Sequence, residues 1–232
     1  MLLNRYIEQF SLHEYPVFTL EDRVGNVFDL LVAQGRSCAP VLDGGKPAGL
    51  VTLAGLLAHS DGRIDDARQQ LLSSIPHAPL TTAGLHEHLL DVYSKAASAR
   101  GEILAVVDAE GYFSAVIEKN LLAREVAALF HLGSGECATI EIEVPSSGIR
   151  LSEILDVFEK NDSRIPAFGT VPSRIESEST IICFRVQTHD LYRLVANLGK
   201  YGYNVRYASP TAGSAEDELR EKALEFIRFM DM

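Results

Sequence analysis

Seven histidines, three cysteines and 32 acidic residues are the groups in this 232-residue chain that could hold a metal or move a proton. Their spacing supports neither. His86 and His88 are two apart, so on a helix they point in different directions, and His13, His59, His77, His131 and His189 stand alone. Cys38, Cys137 and Cys183 each lie in an apolar run with no Cys-x-x-Cys pair, which predicts buried, inert thiols rather than a zinc cluster or a disulfide framework. Glu141 and Glu143 alternate with Ile140 and Ile142 and share one face of a strand, read as the solvated face. Acid and base chemistry there would need a pocket that nothing else announces. Gly44-Gly45 reads as a hairpin turn, because no Gly-Lys-Ser or Gly-Lys-Thr follows a spaced glycine. Gly133-Ser134-Gly135 lacks the strand–turn–helix context of a nucleophile elbow. Arg164, Arg174 and Arg185 are scattered and predict surface pairs. No catalytic residues and no metal ligands are expected, so an enzyme is not expected.

The charge balance narrows the partners. The net charge is −11, with 10 basic and 16 acidic side chains in residues 1–130 and 11 and 16 in the remainder. This even spread leaves no basic stripe, so no nucleic-acid binding is expected. No run of 18 apolar residues occurs, so no membrane span is expected. The first residues lack the charged and apolar regions of a signal peptide, which makes a cytoplasmic location the expectation.

The elements that would position any site come in a repeat. Shifted by 65 residues, the first half lies on itself without a gap: Ala39-Pro40-Val41-Leu42-Asp43 falls on Leu104-Ala105-Val106-Val107-Asp108, Leu50-Val51 on Ala115-Val116, and Leu56-Leu57 on Leu121-Leu122. Each unit reads as helix, hairpin, helix. In the first, Thr19-Leu20-Glu21-Asp22 opens a helix with Val24, Val27, Phe28, Leu31 and Val32 at helical spacing, and Gly35 closes it. Strands at 38–42 and 48–51 flank the turn Asp43-Gly44-Gly45-Lys46, and a helix runs from Leu53 to His59. Ser60 to Ser74 connects the units, helical around Asp65 to Leu72. The second unit predicts a helix from Leu85 to Ala97, strands at 103–107 and 112–117, and a helix from Lys119 to Leu129.

Past the glycines of the 131–135 linker the period changes. A strand at 138–144, a helix from Leu151 to Phe158, strands at 165–171 and 180–186, a helix from His189 to Tyr201 and a strand at 204–207 give the order β-α-β-β-α-β. A final helix with Leu219, Ala223, Phe226, Ile227 and Met230 in one stripe must dock on the core or on another subunit. The predicted class is α+β, with domains at 1–70, 71–130 and 136–208 and a terminal helix at 214–232.

The repeated units resemble tandem CBS domains, which pack as a Bateman module. Ala39-Pro40-Val41-Leu42-Asp43 followed by Gly49-Leu50-Val51-Thr52-Leu53-Ala54-Gly55-Leu56 carries the likeness. Ile142-Glu143-Val144-Pro145-Ser146-Ser147-Gly148 and the helix after it resemble an ACT domain, and the combination is similar to acetoin-utilisation-type CBS proteins. The CBS resemblance implies an adenine nucleotide whose base is read by strand backbone and whose ribose is held by a Thr and an Asp. Here the ungapped match puts Thr52 and Ile117 at the Thr position, Gly55 and Asn120 at the Asp position, and Ser114 at the second motif's glycine. Pro40, Val41, Thr52 and Asn120 are the candidate nucleotide contacts. The ACT resemblance implies an amino acid near the first strand–helix loop. Ser147, Gly148 and Asn161 are the candidates, with helix N–H groups to receive a carboxylate.

The expectation is a non-enzymatic regulatory homodimer that senses a small-molecule effector, with no resident cofactor beyond a possible adenine-nucleotide ligand, and passes the signal to an unknown regulated protein. The alternative is an interaction and dimerisation scaffold whose ligand sites have decayed.

Overall fold

The computed structural model describes residues 6–133, 137–147, 150–173 and 178–209. The chain divides into two units, Met1–Val126 and Ala127–Met232. The expected roles of Ser134, Gly135, Gly148, Arg174 and the 214–232 helix lie outside the described residues.

In the first unit, β1 (Phe18–Thr19), α1 (Val24–Ala33), β2 (Cys38–Asp43), β3 (Lys46–Thr52) and α2 (Leu53–His59) are followed by a short α3 (Ile64–Ala67). Then β4 (Thr82–Gly84), α4 (Leu89–Ser98), β5 (Ile103–Val107), β6 (Phe113–Glu118) and α5 (Lys119–Leu129), whose last three residues fall in the second unit, repeat the pattern. The sheets are β1-β2-β3 and β4-β5-β6, each with one parallel pair and one hairpin. The parallel strands β1 and β4 add one element per repeat to the expected helix, hairpin, helix.

Two expected helix starts are corrected. Thr19 to Asp22 is a turn, closed by the Asp22 carboxylate accepting the Thr19 N–H at 2.6 Å, and α1 begins only at Val24. The first free N–H groups of α1 are satisfied from elsewhere: Val24 N–H donates to the Gln70 carbonyl at 2.9 Å and Gly25 N–H to the Arg68 carbonyl at 3.1 Å. That use of carbonyls 68 and 70 ends the helix expected over 65–72 early: α3 covers only 65–67 of it, and 68–71 is turn and bridge. Likewise α4 starts at Leu89 rather than Leu85, with His88 Nδ1 accepting the Leu90 N–H at 3.2 Å. Gly35 does close α1, at φ +61° with Arg36 N–H on the Leu31 carbonyl at 2.8 Å.

The ungapped match breaks at the second hairpin. In the first repeat Cys38 pairs with Thr52 and Val41 with Gly49; in the second Ile103 pairs with Glu118 and Val106 with Ala115. Strands β2 and β5 are therefore offset by 65, but β3 and β6 by 66. The extra residue sits in the turn. Gly44 and Gly45, at φ +55° and +82°, make a two-residue turn between Asp43 and Lys46. The second turn runs from Asp108 to Tyr112, and Asp108 Oδ1 accepts the N–H groups of Glu110 and Tyr112 at 3.0 and 2.8 Å. The helices that follow keep the new offset: Leu53 N–H donates to the Ser37 carbonyl and Lys119 N–H to that of Glu102. Thr52 thus corresponds to Glu118, Gly55 to Leu121, Gly49 to Ala115 and Leu56 to Leu122.

The repeats exchange their leading segments. Leu12 pairs with Val116 of β6, and Ala78, ahead of the second repeat, pairs with Leu50 of β3. Ile7 is buried in the core of the second repeat with Leu89, Val92 and Leu122, while Leu72 and Ile75 are buried in that of the first with Val27, Leu31 and Leu56. Each repeat needs the other's preceding residues to complete its core.

In the second unit, β7 (Ala138–Pro145), α6 (Leu151–Glu159), β8 (Arg164–Pro172), β9 (Ser179–Gln187), α7 (Leu191–Lys200) and β10 (Asn204–Ala208) form the expected β-α-β-β-α-β order. The antiparallel sheet runs β10-β7-β9-β8. Ile140, Ile142, Ile182, Phe184 and Val186 pack against Ile154, Val157, Phe158, Leu194 and Leu198 of the two helices. Among the described residues no helix is long and apolar enough to cross a membrane.

Candidate functional site

The two repeats meet across an approximate twofold axis. Cys38 and Ile103, Leu50 and Val116, and Tyr15 and Leu80 are repeat equivalents, and all six belong to one apolar cluster. Ser37 and Glu102, also equivalents, hydrogen-bond to each other. A residue can touch its own equivalent only near the axis that relates them. Phe113 N–H donates to the Gly45 carbonyl at 2.9 Å, so the first turn lies on β6.

Of the expected nucleotide contacts, Pro40 and Val41 are buried in β2. Thr52 caps α2, its Oγ1 accepting the Gly55 N–H at 2.9 Å. A Cβ at residue 55 would lie 2.9 Å from that oxygen, so the cap occupies space that a side chain at this position would need. Asn120 is exposed on α5 and corresponds to Ala54, not Gly55. The Asp position of the second repeat thus falls on Leu121 rather than Asn120.

Around the axis the two sides differ. The counterpart of Thr52 is Glu118, which forms an ion pair with Arg36 across the repeats. The Arg36 guanidinium lies 4.7 Å from the Tyr15 ring centroid, and Tyr15 Oη donates to the Cys38 carbonyl at 3.1 Å. Burial, and then the Cys38 thiol, push the Tyr15 hydroxyl up to about 12, so it stays a donor. The equivalents of Arg36 and Tyr15 are Gly101 and Leu80, so no such stack can form beside Thr52. Sequence reasoning missed Arg36, Tyr15 and Glu118, because an ungapped repeat sets Ile117 opposite Thr52. Two further groups near the axis are altered by burial: the Cys38 thiol is raised, and the His77 imidazole, whose Nε2 is buried with no hydrogen-bond partner among the described residues, is lowered.

In the second unit Ser147 is exposed just past β7, whereas Asn161 is buried beyond the far end of α6. Nine helical residues, about 13 Å, lie between them. Asn161 Nδ2 donates to the Val157 carbonyl at 2.7 Å, and Asn197 Nδ2 donates to Asn161 Oδ1 at 2.7 Å. Glu143 corrects the reading of a solvated face. It lies opposite the helices as alternation predicts, yet its side chain is only 6 % exposed. Arg206 Nε at 2.6 Å and Asn204 Nδ2 at 3.1 Å reach one oxygen; Ser179 Oγ at 2.7 Å and Ser173 Oγ at 3.2 Å reach the other. The hydrogen bonds from Arg206 and then Ser179 hold its carboxyl down at about 2. Arg185 also departs from a surface pair: it donates to Thr139 Oγ1 and to the His131 carbonyl, and its Nε is buried. Cys38 and Cys137 are buried as expected, but Cys183 is only half-buried. No set of metal-ligating groups occurs among the described residues.

No family model matches the chain, and none of the curated proteins matches it. Solved structures do. A CBS domain-containing protein of unknown function from Bacillus anthracis is 14% identical over 53% of this chain and 93% of its own, with TM-score 0.48. The CBS-pair protein CBSX2 from Arabidopsis thaliana is 17% identical over 54% and 96%, with TM-score 0.48. CBSX2 in complex with AMP gives 20% identity over 53% and 96%, with TM-score 0.44.

Proposed function

We propose that this chain is a non-enzymatic regulatory protein in which the paired repeats bind a small molecule at their shared axis. The observation that carries the reading is the exchange of leading segments. Residues 7–12 complete the second repeat and residues 72–78 the first, so a ligand seated beside the axis acts on both hairpins at once. Ligand binding then shifts a population only to the extent that it prefers one arrangement. The chain acts as a homodimer in the cytoplasm, on an unidentified regulated protein.

The finer part of the proposal is an adenosine-containing ligand touching Pro40, Val41 and Thr52, with Asn120 at the rim. Thr52 favours it. Gly55 and Leu121 oppose it, because neither can accept hydrogen bonds from a ribose diol, and Glu118 sets a carboxylate where the first repeat has a hydroxyl. The second unit is read as an ACT-like sensor of an amino acid, with Ser147, Gly148 and Asn161 as the contacts the resemblance implies.

Gly55 and Leu121 favour a second reading, a dimerisation scaffold without ligand. Thermal unfolding of the full chain with AMP, ADP, ATP or S-adenosylmethionine separates the two. A sensor is stabilised increasingly as ligand concentration rises above Kd, and Thr52→Ala weakens the effect. A scaffold dimerises with the same transition in all of them.

A further inference from the structure

A depression of about 400 Å³ opens between α6 and β8, with Leu155, Phe158, Ile165 and Pro166 as its apolar lining. That size suits a small ligand. Its charged groups are Glu159, on the last residue of α6, and Arg164, on the first of β8. Neighbouring charges on this stretch are paired, Asp156 with Lys160 at 2.6 Å and Asp162 with Arg193 at 3.7 Å. The side chains of Glu159 and Arg164 have no partner among the described residues.

The loop between these two residues is fixed. Asn161 ties it to Val157 and to Asn197 of α7. Ser163 Oγ lies 3.0 Å from both the Asn161 carbonyl and Thr188 Oγ1. Asp162 turns the chain at φ +52°. Arg164 and Glu159 are therefore held on one rim, over an apolar lining, without neutralising each other.

From this geometry we infer that the depression binds a free α-amino acid with an apolar side chain. The Arg164 guanidinium takes the carboxylate in its planar fork. Glu159 accepts from the ammonium group, and the side chain covers Leu155, Ile165 and Pro166. The inference rests on reading the second unit as an amino-acid sensor, and it locates the site at Glu159 and Arg164 rather than at Ser147.

Calorimetric titration of the full chain tests it, with L-leucine, N-acetyl-L-leucine and L-leucinamide as probes. L-leucine binds the wild type, and E159Q and R164Q each raise its Kd roughly tenfold or more, the loss expected for one charge-assisted contact. N-acetyl-L-leucine binds more weakly and is indifferent to E159Q. L-leucinamide binds more weakly and is indifferent to R164Q. Both residues are exposed, and unchanged thermal transitions of the variants confirm their folding. Leucine binding that neither variant alters overturns the location while leaving an amino-acid sensor intact. No heat from any probe up to millimolar concentration overturns both.

Discussion

Leu56 and Leu122 hold the same place in the two repeats: each is the buried residue of the helix that follows its hairpin, and they stand 66 positions apart, one more than Cys38 and Ile103. This single step decides which residues of the second repeat face the axis.

The step is testable by truncation. Leu122→Ala should cost about 2–5 kcal/mol, as Leu56→Ala should, because both side chains fill a core. Leu121→Ala should cost distinctly less, since Leu121 is only half-buried. Urea unfolding of the three variants gives the order. A larger loss at Leu121 would restore the offset of 65.

Gly49 and Gly55 should respond oppositely to alanine. At Gly49 the new Cβ would lie 2.7 Å from His77 Cβ, part of the exchanged segment, which cannot move without disturbing Ala78 and Leu50. Gly49→Ala should destabilise by about 1–3 kcal/mol, the range for overpacking. At Gly55 the clash is with the Thr52 hydroxyl, which can rotate away. The cap lost, worth about 1 kcal/mol, is offset by about 1 kcal/mol of helix propensity gained. Gly55→Ala should therefore be nearly neutral in the same unfolding assay.

Glu143 should govern the acid limb of stability in the second unit. Its folded carboxyl sits at about 2, held by Arg206 and then Ser179, below the roughly 4.3 of an unfolded glutamate. A lowered carboxyl pKa stabilises the fold above the unfolded value, and that contribution is lost as pH falls from there towards 2. Unfolding midpoints followed from neutral pH down to about 2 should drop in this window, and Glu143→Gln should flatten the drop while lowering stability at pH 7. An unchanged acid limb in the variant would contradict the assignment.

His77 acts in a different window. Burial lowers its pKa, so the fold favours the neutral ring and loses stability as pH falls below the unfolded value of about 6.5. His77→Gln should remove the dependence that begins there and leave the lower, carboxylate window in place. The same unfolding series reads both.

The hairpins, their flanking helices and the β-α-β-β-α-β order were legible because each rests on local periodicity and turn chemistry. Tertiary pairing hid the rest. Strands β1 and β4, two and three residues long, are too short to show alternation and exist because β2 and β5 pair with them in parallel. The 65–72 stretch reads as helix, but carbonyls 68 and 70 turn to cap α1. The extra residue before Phe113 was invisible because Ala115-Val116-Ile117 is apolar in either register. Glu143 alternates like a surface residue, and only the fold brings Arg206, Asn204 and Ser179 over it. Glu159 and Arg164 carry no motif; the loop at Asn161 and Ser163 brings them to one depression.

The axis claim is tested most directly by hydrogen exchange of the full chain with and without AMP, ATP or S-adenosylmethionine at millimolar concentration. The amides that bond across the exchange, Leu50 and Ala78 in one repeat pair and Leu12 and Val116 in the other, report on both sides at once. A ligand seated at the axis slows exchange at all four together, and Thr52→Ala reduces the protection. Exchange that is unchanged at these amides with every probe would contradict a sensor built on this axis.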